Sequence, residues 1–176
     1  MENSDFTFRP NEDETQVQYP GALPRGTFIL KKAEKEVGQV SNRELWLIGV
    51  ALYWGEGSKQ KEYYPSAGVS FSNSDPIMIK TFLKWLTNVC EIPREKIEND
   101  LYIHESHRDK ADGIKKYWTK IIKFPVKNVY FKKNKPNTKR KNIGDLYHGL
   151  LRVKVKASTD LNREITGWTN GIVKKV

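Results

Sequence analysis

The stretch Leu47-Ile48-Gly49-Val50-Ala51-Leu52-Tyr53-Trp54-Gly55-Glu56-Gly57 decides how the rest of the chain is read. It is apolar or small almost throughout, until it reaches one carboxylate set between two glycines. Upstream, Ser41 and Glu44 have the S-x-x-E spacing of a capping box, in which each side chain satisfies a backbone N–H that the first helical turn leaves over. The pattern therefore predicts a helix that begins at Ser41, runs through residues 45–54 and stops near Gly55 and Gly57, whose backbones accept the conformations of a helix terminus. Apolar residues on nearly every side require burial over most of the helix surface. Gly49, Ala51 and Gly55 lack bulk, and small residues let a second helix backbone approach closely. A carboxylate at a helix C-terminus is unfavourable, because the macrodipole is already negative there; a bound divalent cation would offset that cost.

Working outward, residues 63–73 read as a strand, from the alternation in Val69-Ser70-Phe71-Ser72. Ser74-Asp75-Pro76 announces a second helix, a capping residue with proline at the first helical position. Its apolar stripe is Ile79, Phe82, Leu83, Leu86, Val89 and Cys90. Residues 101–105 alternate as a strand, with Leu101 and Ile103 on one face and Tyr102 and His104 on the other. Residues 109–122 form an amphipathic helix on Ile114, Tyr117, Trp118, Ile121 and Ile122, and stop before Pro125. Residues 126–132 and 147–156 are expected strands, and a last helix starts near Ser158. The order, roughly α-β-β-α-β-α-β-β-α, describes an α+β domain with a mainly antiparallel sheet and helices packed on one face. Residues 1–40 stand apart from it. They are an acidic arm broken by Pro10, Pro20 and Pro24, with a short lead-in helix over residues 27–38; residues 41–176 make the single domain.

Charge is distributed unevenly. The 176-residue chain has a formal net charge of +10, yet its first 23 residues set Glu2, Asp5, Glu12, Asp13 and Glu14 against Arg9 alone. The positive excess belongs to the remainder, and a field of that size on one compact domain attracts polyanions, nucleic acid above all. Cys90 is the single cysteine, which excludes a disulfide framework and a cysteine-based zinc site. No apolar run approaches the roughly 18 residues a membrane span needs, and the acidic N-terminus is unlike a signal peptide. An intracellular, reducing setting is expected, either cytoplasm or nucleoid.

The nine residues from Gly49 to Gly57 (GVALYWGEG) resemble the motif of the LAGLIDADG homing-endonuclease family, in a single-motif form. The likeness extends over the α-β-β-α order of residues 43–91 and more loosely to the C-terminus. It sets Ala51 at the small interface position, Glu56 at the metal-binding acid and Gly57 at the closing glycine. Two departures are visible: the acid is Glu rather than the commoner Asp, and Trp54 stands where the motif has its first Asp. The resemblance implies a homodimer in which two motif helices meet through Gly49, Ala51, Leu52 and Gly55. It implies Glu56, with Gly55 beside it, as the ligands of Mg2+, and Glu56 as the catalytic residue. The reaction it implies is site-specific hydrolysis of phosphodiester bonds in double-stranded DNA.

Basic residues supply the expected DNA contacts. Lys132, Lys133, Lys135, Lys139, Arg140 and Lys141 crowd one loop, and a loop of that kind neutralises several phosphates. In residues 150–156, Leu151, Val153 and Val155 alternate with Arg152, Lys154 and Lys156. That pattern gives a sheet one apolar and one cationic face, and the resemblance lays the cationic face in the major groove. Lys59 and Lys61 follow the motif closely enough to approach phosphates at the cleavage centre. His104 and His107 are assigned no metal, and Tyr102 and Tyr130 are expected to pack rather than stack on bases. Two other readings fit the same sequence: a non-cleaving DNA-binding regulator of the same fold, and a single-strand or RNA module that uses its aromatics as stacking platforms.

Overall fold

A computed structural model describes residues 25–61, 67–133 and 147–176. The chain divides into two compact units, Met1–Gln39 and Val40–Val176. The first unit contributes helix α1 (Arg25–Glu36).

The second unit begins with α2 (Asn42–Glu56), whose start is set by the expected capping box. Glu44 N–H donates to Ser41 Oγ at 3.2 Å, and Ser41 N–H donates to Glu44 Oε2 at 2.7 Å. The Ser41 contact holds the Glu44 carboxyl below its ordinary value. There follow β1 (Ser70–Asn73), α3 (Pro76–Asn88), β2 (Ile97–His104), α4 (Ala111–Ile122), β3 (Val126–Lys132), β4 (Leu150–Val155) and α5 (Thr159–Val173). Helix α3 starts where Ser74-Asp75-Pro76 places it, with Ile77 N–H donating to Asp75 Oδ1 at 2.7 Å.

The four strands form one sheet in the order β1-β4-β2-β3. β4 runs antiparallel to both β1 and β2, but β2 and β3 are parallel. The sheet is thus mixed: two of its three strand pairings are antiparallel, in keeping with the expected mainly antiparallel sheet, and the β2–β3 pairing departs from it. The reason lies in the connection: α4 carries the chain back across the sheet, and a strand reached through a crossover helix pairs parallel to the strand before it. Between α2 and α3 the described residues hold one strand, β1, where the alternation places a strand over residues 63–73 and the overall order has two. Gly57 makes an isolated antiparallel bridge to Phe71, and residues 62–66 lie outside the described segments. β2 starts four residues earlier than its alternation predicts, and β4 is shorter than residues 147–156.

One core fills the space between the sheet and the helices. Phe71, Leu101, Ile103, Leu151 and Val153 project into it from the strands, and Val50, Phe82, Trp85, Trp118 and Ile165 meet them from α2–α5; all ten are buried. Phe82 stacks between Phe71 and Tyr53, with ring centroids 4.4 and 6.1 Å away. Buried aromatic clusters of this kind hold neighbouring elements by large area and defined ring geometry. Ser158 ties α5 to the sheet: its hydroxyl donates to Val155 O at 2.7 Å and accepts from Val69 N–H at 2.8 Å. Among the described residues no helix is long and apolar enough to cross a membrane.

Candidate functional site

Helix α2 has two faces. Leu45, Gly49, Val50 and Tyr53 are buried within their own unit. Gly49 does not face an open helix surface. A Cβ placed on it would lie 2.1 Å from Trp85 Cγ, so the indole of α3 fills that space. Leu52 is half-buried and packs against the same core. The opposite face presents Leu47, Ile48, Ala51, Trp54 and Gly55 to solvent, with Leu47 and Ile48 each 39% and Trp54 50% exposed. Spacings of three and four residues make these one continuous stripe. Of the four expected interface residues, Ala51 and Gly55 lie on this open face, while Gly49 and Leu52 serve the interior.

The stripe ends at Glu56, which is exposed. Gly57 is required for space, not for an unusual backbone: its φ is −75°, and a Cβ there would lie 2.4 Å from the Tyr53 ring. Tyr53 donates its hydroxyl proton to Ser58 O at 2.6 Å, and burial pushes that phenol up to about 12. Lys59 turns back on the helix and donates to the Gly55 carbonyl at 3.3 Å, meeting the negative end of the macrodipole. Lys59 and Lys61 are both exposed. Among the described residues there is no group of three or more His, Cys, Asp or Glu side chains placed to hold a metal ion. Among the described residues the tip of α2 thus presents the Glu56 carboxylate beside a carbonyl already engaged by Lys59.

The sheet surface away from the core is more elaborate than its sequence pattern. β4 alternates as expected, with Leu151, Val153 and Val155 buried and Arg152 and Lys154 on the other side. Acids from β2 meet these cations. Lys154 Nζ lies 2.6 Å from Asp100 Oδ2, and Asp100 is 1% exposed although it sits on the outer face. Asn128 donates to the other Asp100 oxygen at 2.8 Å. The hydrogen bond that Lys154 donates to Asp100 raises it above the usual lysine value, so this ammonium is fixed and charged. Lys127 and Lys156 share Glu98 and hold its carboxyl below the ordinary range.

Arg152 is also held, donating to Ser72 Oγ at 3.1 Å and to the Tyr102 hydroxyl at 2.9 Å. Tyr102 stacks on Tyr130 at 5.0 Å, and Arg152 and Lys132 each lie 4.6 Å from the Tyr102 ring centroid. The outer face thus carries a preorganised row of aromatic and cationic groups in place of a loose lysine surface. Tyr102 and Tyr130, expected only to pack, thus belong to this row, and Glu98 and Asp100 join it as residues that the alternation of β2 does not single out. Their spacing of two in Ile97-Glu98-Asn99-Asp100 was the available signal. Lys132 and Lys133 are exposed at the end of β3; Lys135, Lys139, Arg140 and Lys141 fall outside the described residues.

Cys90 is only half-buried, and burial followed by the nearby Glu164 charge pushes its thiol up to about 12. A thiol so rarely ionised is a poor nucleophile. Compared with family models, curated proteins and solved structures, the chain gives no match.

Proposed function

We propose that the chain binds double-stranded DNA as a homodimer and acts as a site-specific, Mg2+-dependent endonuclease of the LAGLIDADG type. The observation that carries this reading is the exposed stripe Leu47, Ile48, Ala51 and Trp54, which leads directly to the exposed carboxylate of Glu56. An apolar helix face of this length in solvent calls for a partner. A two-fold arrangement would pair the stripe with itself, Ala51 allowing close approach, and would bring two Glu56 side chains together. The second copy would supply the second carboxylate. Mg2+ held between the two acids would supply Lewis-acid chemistry at the phosphate. Arg152, Tyr102, Tyr130 and Lys132 would face base edges and backbone from the outer sheet surface, with Lys59, Lys61 and Lys133 contacting phosphates.

One observation favours the non-cleaving reading of the same fold: the Gly55 carbonyl is taken by Lys59. The test combines sedimentation with cleavage of a library of duplex sites in Mg2+. A dimer that cleaves, and a Glu56→Gln protein that binds without cleaving, are expected. A species that stays monomeric at tens of micromolar would sink the paired-helix arrangement. Salt-sensitive duplex binding without cleavage, unchanged in Glu56→Ala, would make the protein a DNA-binding regulator.

A further inference from the structure

A groove of about 660 Å³ opens where β1, β2 and β3 end and β4 begins. This is the edge at which a β-α-β unit presents its carboxyl ends, where α/β sheets commonly take ligands. Its volume falls within the range of small-molecule sites. Two kinds of surface line it. Tyr102, Tyr117, Tyr147 and His148 supply aromatic rings, and Lys132 and Lys133 supply ammonium groups.

The walls are built by specific contacts. Tyr147 accepts the His104 backbone N–H on its hydroxyl at 2.8 Å, and His148 stacks on Tyr117 with centroids 3.6 Å apart. Trp118, fully buried beneath, donates its indole N–H to His148 O at 2.6 Å. Both lysines are exposed, and Lys133 meets Glu105 only across a solvated 3.7 Å contact. Such a contact costs little to break.

His104 adds a further indication. Its Nδ1 accepts the Ser106 backbone N–H at 3.2 Å, which leaves the proton of the neutral ring on Nε2. That Nε2 is enclosed and has no hydrogen-bond partner among the described residues. A buried donor without an acceptor is costly, and a ligand bearing ring nitrogens, carbonyls or phosphate oxygens would relieve it.

We infer that this groove binds one nucleotide, its base against the rings of Tyr117 and Tyr147 and its phosphate on Lys132 and Lys133. The site shares Tyr102, Lys132 and Lys133 with the duplex interface proposed above, but it rests on the groove and does not depend on that reading. The nucleotide comes either as a free monophosphate or as one unit of a single strand. Aromatic rings accept any base by its π face, while the paired ammonium groups select for the phosphate.

Calorimetric titration of the full chain with dAMP, deoxyadenosine and inorganic phosphate tests the inference. Saturable dAMP binding is expected, with deoxyadenosine and phosphate each weaker by about tenfold or more. Tyr117→Leu and Lys133→Glu should each weaken dAMP by a similar factor; Lys133 is exposed, so its variant guards against misfolding of the other. Duplex affinity, measured alongside, should be unchanged in Tyr117→Leu, so loss of the nucleotide site is separable from loss of duplex binding. Displacement of dAMP by a short oligo-dA would identify a strand as the source, and failure to displace it the free nucleotide. No saturable dAMP binding, phosphate binding as tightly as dAMP, or undiminished binding in both variants overturns the inference.

Discussion

Gly49 lies directly under the indole of Trp85. The nearest ring atoms would be 2.1–2.3 Å from a Cβ on residue 49, and Trp85 is fully buried, with Phe82 at 5.4 Å and Trp168 at 6.5 Å closing round it. The ring has nowhere to retreat. Gly49→Ala should therefore destabilise the fold by about 2–3 kcal/mol through overpacking, despite alanine's better helix propensity. Urea denaturation at two protein concentrations checks this. The loss should be the same at both, because the contact is within one chain; a variant as stable as wild type would show that α2 and α3 are not packed this way.

Fixed ion pairs on the outer sheet face alter what each lysine does for polyanion binding. Lys156 lies 3.2 Å from Glu98 and Lys154 2.6 Å from Asp100, whereas the exposed Lys132 is drawn to the Tyr102 ring. A cation already neutralised by a neighbour releases fewer counterions when a phosphate arrives. In a plot of log affinity against log salt for duplex DNA, Lys132→Ala should lower the slope by about 0.9. Lys156→Ala should lower it by clearly less. Equal changes in slope would mean that the Glu98 pair opens on binding.

How far the fold could be read from the sequence varied with the strength of local signals. The capping box at Ser41 and the Ser74-Asp75-Pro76 start were legible because a side chain answers a specific backbone N–H at each. β4 was legible because its alternation is strict. The first half of β2 was not: Asn99 occupies a core position, fully buried and donating to Pro125 O at 3.2 Å, and Asp100 is buried on the outer face by Lys154 and Asn128. Buried polar residues whose partners lie 26, 28 and 54 positions away look like loop until those partners are known. The two faces of α2 escaped for a related reason. Gly49 and Ala51 are both small, and only the position of Trp85 separates the interior residue from the exposed one.

Glu98 ties stability to acidity with a definite sign. Hydrogen bonds from Lys127 and then Lys156 hold its carboxyl below the ordinary 4.5 in the folded protein. The folded state therefore binds that proton less readily than the unfolded chain. Its contribution is complete above about pH 4.5 and is lost as pH falls through the depressed folded value. Melting temperature followed from pH 7 to pH 2.5 should fall less steeply over the acid limb in Glu98→Gln than in wild type. Parallel curves would show that the lysine contacts are not maintained in solution.

Gly149 joins backbone conformation to the shape of the groove. Its φ is +70°, a region that L side chains rarely enter, and a Cβ there would lie 2.5 Å from the Tyr102 carbonyl oxygen. The obstacle is backbone of the central strand β2, which cannot swing away as a side chain could. Gly149→Ala should cost roughly 1–3 kcal/mol from the strained conformation, plus the displacement of β4 from Tyr102. Tyr147 and His148 precede it directly, so that shift should also disturb the His104–Tyr147 contact and the Tyr117–His148 stack. Two readouts separate the effects: chemical denaturation for stability, and dAMP affinity for the groove. Asn is the informative control, since it tolerates positive φ yet still brings a Cβ. If Gly149→Asn is as stable as wild type, backbone conformation alone demands the glycine, and the close approach to Tyr102 O is not maintained in solution; if it is as damaged as Gly149→Ala, the approach decides.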